Sequence, residues 1–253
     1  MTPISNMEVY NAGMRKSMLD KIWWMDKMDD SVNTVLDYGC ADGALLSIVH
    51  EMNPELILYG YDFNKDMLNL ACNNVPDGYF SDIYGIINTS VKENEVVLVA
   101  SSVFHEIENY SHDVTSEYER IFNNDYKYIA IRDMFVSEKS CGISDQLTVA
   151  KVRQQFSYDK IKEFESFTGP IDCNRNLLQF FLTYRYEANW DREVRENYFP
   201  HTIEQFLSKI PDHYEVVYFE HYTLPFLREQ VQKDFGVQLT DPTHGKILLR
   251  LKN

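Results

Sequence analysis

At 253 residues the chain can bury a substantial core in one domain, and 44% hydrophobic with 25% charged residues excludes the fibrous and disordered classes. A formal net charge of −15 argues against a broad electrostatic grip on nucleic acid, whose phosphates the mean field repels. No apolar run is long enough for a membrane span, and Met1-Thr2-Pro3-Ile4-Ser5-Asn6 lacks the basic-then-apolar pattern of a signal peptide, so the expected compartment is the cytoplasm.

In chain order, a helical stretch at 14–28 carries an aromatic and methionine stripe, and an apolar first strand follows at Thr34–Tyr38. That strand breaks into Gly39-Cys40-Ala41-Asp42-Gly43, after which a helix begins. Gly39 and Gly43 let the backbone approach a ligand, and the helix start offers unpaired N–H groups. Asp37 precedes the first glycine and the spacing is G-x-x-x-G, whereas a dinucleotide pyrophosphate calls for G-x-G-x-x-G without a nearby carboxylate. A carboxylate beside the turn suits a cationic cofactor instead.

The second strand, 56–62, ends in Asp62, 19 positions past Gly43. Consecutive parallel strands are neighbours, so this carboxylate lies beside the first turn and can accept both ribose hydroxyls of a nucleoside. A helix at Lys65–Asn74, a short strand at 79–83, a strongly apolar strand at 95–101, a helix at 114–123 and a strand at 128–133 complete an alternation of strands and helices. That order predicts a parallel sheet wrapped by helices.

On Asp37, Gly39 and Gly43 the sequence resembles the class I S-adenosylmethionine-dependent methyltransferases, whose first motif is D-x-G-x-G-x-G, with Ala41 standing at the middle glycine. The resemblance runs through most of the chain from Val32 onward. It implies a Rossmann-like, doubly wound α/β fold with a mostly parallel seven-stranded sheet and an antiparallel last strand. It also implies S-adenosylmethionine as cofactor. Phe63 matches the position that lies against the adenine, and serves equally as a core aromatic. Asp82 and Ile83 match the residues whose carboxylate and N–H meet the adenine, although a strand-end carboxylate is also an ordinary cap. Ser101 is placed to contact the cofactor and His105, past the fourth strand, to face the acceptor; a helix-start histidine satisfied by backbone is the alternative for His105. Glu106 and Glu108 read as a charge pattern at a helix start. The helix before the first strand, within 1–31, resembles a lid over the cofactor, with Tyr10 and Met14 as lid residues.

Residues 142–212 are too many for a crossover, and Leu177, Leu178, Phe181 and Leu182 recur at helical spacing, which predicts an inserted helical cap within a single domain, 1–253. Pro200, Thr202 and Gln205 form a helix start with a capping box, and two strands follow at 214–221 and 246–251. Arginines and aromatics interleave at 184–195 as a base-stacking surface would want, but Glu187, Asp191, Glu193 and Glu196 make a solvated helix laced with ion pairs the simpler reading. Cys40 falls in the cofactor turn. Cys72, Cys141 and Cys173 read as buried, reduced structural thiols, and no C-x-x-C or Cys/His array points to a structural metal.

The implied activity is transfer of a methyl group by direct displacement to an O, N, S or C nucleophile of a small organic molecule or metabolite. Methylation of an RNA, such as a transfer RNA, is the second reading, and a noncatalytic methyltransferase-like binding domain a third. A nicotinamide-dependent oxidoreductase would normally keep the G-x-G-x-x-G turn that is lacking here.

Overall fold

The structure, a computed structural model, describes residues 17–252. Tyr10 and Met14 lie outside the described residues. The first half runs α1 (Met18–Lys21), β1 (Thr34–Tyr38), α2 (Ala44–Met52), β2 (Ile57–Tyr61), α3 (Lys65–Asn74), β3 (Tyr79–Ser81), α4 (Tyr84–Asn88), β4 (Val96–Ser101), α5 (Phe104–Tyr110), α6 (Val114–Phe122) and β5 (Tyr128–Met134). There follow α7 (Gln146–Gln155), α8 (Tyr158–Thr168), α9 (Asn174–Thr183), α10 (Trp190–Glu193), α11 (Ile203–Leu207), β6 (Tyr214–Tyr222), α12 (Pro225–Phe235) and β7 (His244–Leu251).

The seven strands form one sheet in the order β3-β2-β1-β4-β5-β7-β6, with β7 antiparallel to both its neighbours. Helices cover both faces of the centre. Every residue of β1 and β5 is therefore buried, which is why these strands read as continuous apolar runs and not as alternations. One apolar cluster, with Leu36, Leu98 and Ile131, lies on one face of the sheet, and another, with Val35, Val97 and Ala130, lies on the other. The strand order reverses direction between β1 and β4. Ligands of open α/β sheets bind at the carboxyl ends of the strands at such a switch point.

The region 142–212 is helical, as its periodicity predicts, and Thr202 and Gln205 form the expected capping box at the start of α11. It has a core of its own, built on Phe164, Leu178, Phe180 and Phe181, and α12 joins that core through Leu227, Val231 and Phe235. α12 falls outside the elements that the apolar periodicity predicts. It starts on a proline and ends on left-handed Gly236, both ordinary helix signals.

Four readings need correction. The helical stretch expected at 14–28 is helix only over Met18–Lys21 among the described residues, and 22–28 runs in turns and bends. The segment 184–195 is not a solvated helix: Trp190, Arg192 and Glu193 are buried, and so is Glu196 just beyond, because its charges pair with one another inside the molecule. Cys72 and Cys141 are exposed and only Cys40 is buried, α3 turning Cys72 away from the sheet. Phe63 is 68% exposed and so is no core aromatic. Among the described residues, no helix is long and apolar enough to cross a membrane.

Candidate functional site

The loops after β1 and β4 meet at the switch point. Gly39 has φ +81, and a Cβ built on it would stand 2.8 Å from Val103 Cγ2, so the two loops approach as closely as a glycine permits. Ala41 (φ 46) and Ser102 (φ 61) are the non-glycine residues with left-handed backbone among those described, one on each loop. Such conformations cost about 1–3 kcal/mol each and gather at ligand sites. Ser102 is held there by its N–H to the Arg132 carbonyl at 2.7 Å and by Arg132 Nη1 donating to its Oγ at 2.8 Å. Beside it the Ser101 Oγ is buried with no hydrogen-bond partner, an orphan that a ligand at this strand end can satisfy.

Asp62, just past β2, accepts the Ala41 N–H at 2.9 Å and the Asn64 N–H at 2.8 Å. Burial raises its pKa, and these two N–H groups pull it back down. Farther along the same edge, Phe63 and Ile83 (56% exposed) present apolar surface, and Asp82 pairs through Oδ2 with Lys65 at 2.9 Å. A nucleoside base would find a half-open apolar rim here.

Asp37 sits at the floor, 3% exposed, opposite Gly60 and Val99 in the sheet. Burial pushes its carboxyl up to about 7, with Lys21 opposing the rise and Asp62 adding to it. Lys21, buried on α1, is brought down to about 8 by burial and Arg132, while Asp37, Glu106 and Asp133 hold it up. Cys40 contributes backbone only. Its N–H donates to the Tyr61 carbonyl, and its thiol lies in the apolar cluster under the turn, where burial and the charges of Asp37 and Asp62 push its pKa up.

His105 is 5% exposed, and its partner is not backbone but the Asp133 side chain of β5, with His105 Nδ1 2.7 Å from Asp133 Oδ1. The other oxygen of Asp133 accepts the Phe104 N–H at 2.7 Å, so one carboxylate both starts α5 and fixes the ring. Nε2 is left facing Glu196 Oε1 at 3.9 Å. Burial lowers the His105 pKa, but Asp133, Glu106 and Glu196 outweigh it and raise it to about 9. Glu106 is more than a helix-start charge: it reaches Arg192 at 3.3 Å, and Arg192 also pairs with Glu193 at 2.7 Å. Glu108 lies apart, bonded to His201 and to Tyr118. The arrangement of Asp133, Arg192, Glu193 and Glu196 around His105 was invisible in the sequence, where these residues span 91 positions.

Thus Asp37, Gly39, Ala41, Asp62 and Ser101 are brought together at the strand ends, Phe63, Asp82 and Ile83 line one margin, and His105 lies beneath the cap side. The site combines a tight turn holding Ala41 in left-handed backbone, buried carboxylates and an unpartnered hydroxyl.

No family model and no curated protein matches the chain in sequence. Solved structures match in fold. A SAM-dependent methyltransferase from Anabaena variabilis aligns over 100% of this chain and 96% of its own, with TM-score 0.52 and 10% identity. The plantazolicin methyltransferase BpumL, solved with SAH, aligns over 98% and 88%, with TM-score 0.51 and 13% identity. A protein from a study of the conversion of a disulfide bond into a thioacetal group in echinomycin biosynthesis aligns over 93% and 80%, with TM-score 0.50 and 10% identity. The chain has the fold of the SAM-dependent methyltransferases.

Proposed function

We propose that the chain is an S-adenosylmethionine-dependent methyltransferase acting on a small organic molecule or metabolite. The observation that carries the reading is the pair of left-handed non-glycine residues, Ala41 and Ser102, on the two loops that meet between β1 and β4. BpumL, which shares the fold, was solved with SAH. The residues present fit such a cofactor: the Ser101 hydroxyl lacks a partner, and buried Asp37 and Asp62 favour a cation.

In this reading Asp62 accepts the ribose hydroxyls, Phe63 and Ile83 cover the adenine with Asp82 at its edge, and Gly39, Cys40, Ala41 and Gly43 line the methionine part with backbone. Asp37 offsets the positive charge and Ser101 hydrogen-bonds beside it. The cofactor supplies an electrophilic methyl group. The chain contributes alignment of acceptor and donor, worth up to about 7–11 kcal/mol in well-oriented intramolecular reactions, and exclusion of water. His105, its ring held by the Asp133 carboxylate, positions the acceptor side in this reading.

The net charge of −15 weighs against an RNA acceptor. Calorimetry with S-adenosylmethionine, its demethylated product and NAD tests the reading. Binding of the sulfur compounds and not NAD is expected, and NAD binding alone would overturn it.

A further inference from the structure

His105, Glu106 and Glu196 bring one ligand atom each, an imidazole nitrogen and two carboxylate oxygens, to within 4.8 Å of one another. Glu196 lies 90 positions past the adjacent pair His105-Glu106, so no sequence spacing announces the set. Two further observations point at a ligand. Glu196 has a side chain only 1% exposed; its Oε2 accepts from Tyr110 at 2.6 Å, while its Oε1 is buried without a hydrogen-bond partner and faces His105 Nε2 at 3.9 Å, too far for a direct bond. Asp133 engages the other ring nitrogen at 2.7 Å, which is how carboxylates orient metal-binding histidines.

We propose that His105 Nε2, Glu106 and Glu196 form a site for a divalent first-row transition metal ion. Small adjustments of the two carboxylates bring the donors to the roughly 2.0–2.2 Å that such ions need, and three protein ligands leave coordination positions open. The imidazole favours ions of the zinc, cobalt or iron kind over magnesium and calcium, which prefer all-oxygen sets. Charge agrees. Glu106, Asp133, Glu193 and Glu196 converge here against the Arg192 guanidinium, and a dication beside a neutral imidazole offsets most of that excess of negative charge. Arg192 pairs with Glu106 at 3.3 Å and lies 3.8 Å from Glu196 Oε2, which helps hold both carboxylates in place. The open positions would take an oxygen or nitrogen ligand. The proposal does not rest on methyl transfer, since the donors are present whether or not a nucleoside binds.

The test is titration of the chelator-stripped full chain with Co²⁺ followed by visible absorption, and with Zn²⁺ and Mg²⁺ by calorimetry. Uptake of one Co²⁺ and one Zn²⁺ per chain, with Mg²⁺ at least 10-fold weaker, is expected. Glu196→Gln and His105→Ala should each lose at least 10-fold in Zn²⁺ affinity. If either variant does not fold, Glu106→Gln, altering the most exposed of the three ligands, carries the same expectation. No stoichiometric uptake by the folded wild-type chain, or uptake unchanged in the folded variants, overturns the site. S-adenosylmethionine binding measured on the same samples tells failure of this site from failure of the cofactor reading.

Discussion

Ala41 donates its backbone N–H to the Asp62 carboxylate at 2.9 Å, so the turn after β1 and the end of β2 are one hydrogen-bonded unit. Asp62→Ala removes the proposed ribose acceptor and also the partner of the Ala41 and Asn64 N–H groups. Cofactor affinity should fall by about 1.5–3 kcal/mol, and the ligand-free protein should lose about 1–3 kcal/mol of stability as well. Asp62→Asn keeps one acceptor oxygen and should lose less of both. Calorimetry and urea unfolding read the two effects separately; full affinity in a folded Asp62→Ala chain takes Asp62 out of the site.

Phe63 makes the opposite split. Its ring is 68% exposed, so Phe63→Ala should leave the melting temperature of the ligand-free protein within about 1 °C, a surface change being worth under about 0.5 kcal/mol. Loss of stacking should weaken S-adenosylmethionine by about 1–3 kcal/mol. Equal affinity in wild type and variant would show that the ring does not meet the adenine.

At Gly39 the obstacle is both backbone and space. Gly39→Ala places a Cβ 2.8 Å from Val103 Cγ2 at φ +81, and about 1–3 kcal/mol of destabilisation is expected in urea unfolding. Adding Val103→Ala removes the collision but not the left-handed strain. The double variant should therefore recover stability relative to the additive sum of the two single changes, and strict additivity would mean that the loops do not touch.

The pH dependence of metal-free protein should report His105. Its folded pKa, about 9, stands above the ordinary 6.5, so its contribution to stability is complete below pH 6.5 and is lost as pH rises through 9. The loss for a fully buried group of this kind is on the order of 3 kcal/mol. Denaturant midpoints from pH 6 to 8 in chelating buffer, below the range where Lys21 loses its proton, should fall further in wild type than in His105→Gln. Parallel curves would assign the dependence to other groups.

The sheet was legible because strands buried on both faces write themselves as apolar runs, as in Val96-Val97-Leu98-Val99-Ala100, and because Gly39 and Gly43 mark the turn after the first of them. The capping box at Thr202 was legible for the same local reason. Burial of charge was not. Arg192 and Glu193 look solvated in a linear reading, and only the fold shows that Glu106, 86 positions earlier, reaches the same guanidinium. The orphan hydroxyl of Ser101 and the Asp133 carboxylate under His105 belong to the same class, set by strand register between β4 and β5 and by no spacing along the chain.

β7 enters the sheet between β5 and β6, pairing Tyr128 with Arg250 on one side and Tyr214 with Leu251 on the other. Until residues 244–251 arrive, β6 has no sheet neighbour at all and β5 is an open edge. The sheet is thus finished by insertion, through contacts more than 100 positions apart on one side, the kind that form slowly. A truncated chain ending before His244 would hold out one unpaired strand, β6, and one open edge, β5, with Val216, Val217 and Phe219 of β6 apolar and exposed even in the finished fold. Those last eight strand residues therefore close the β5 edge and give β6 its one sheet neighbour.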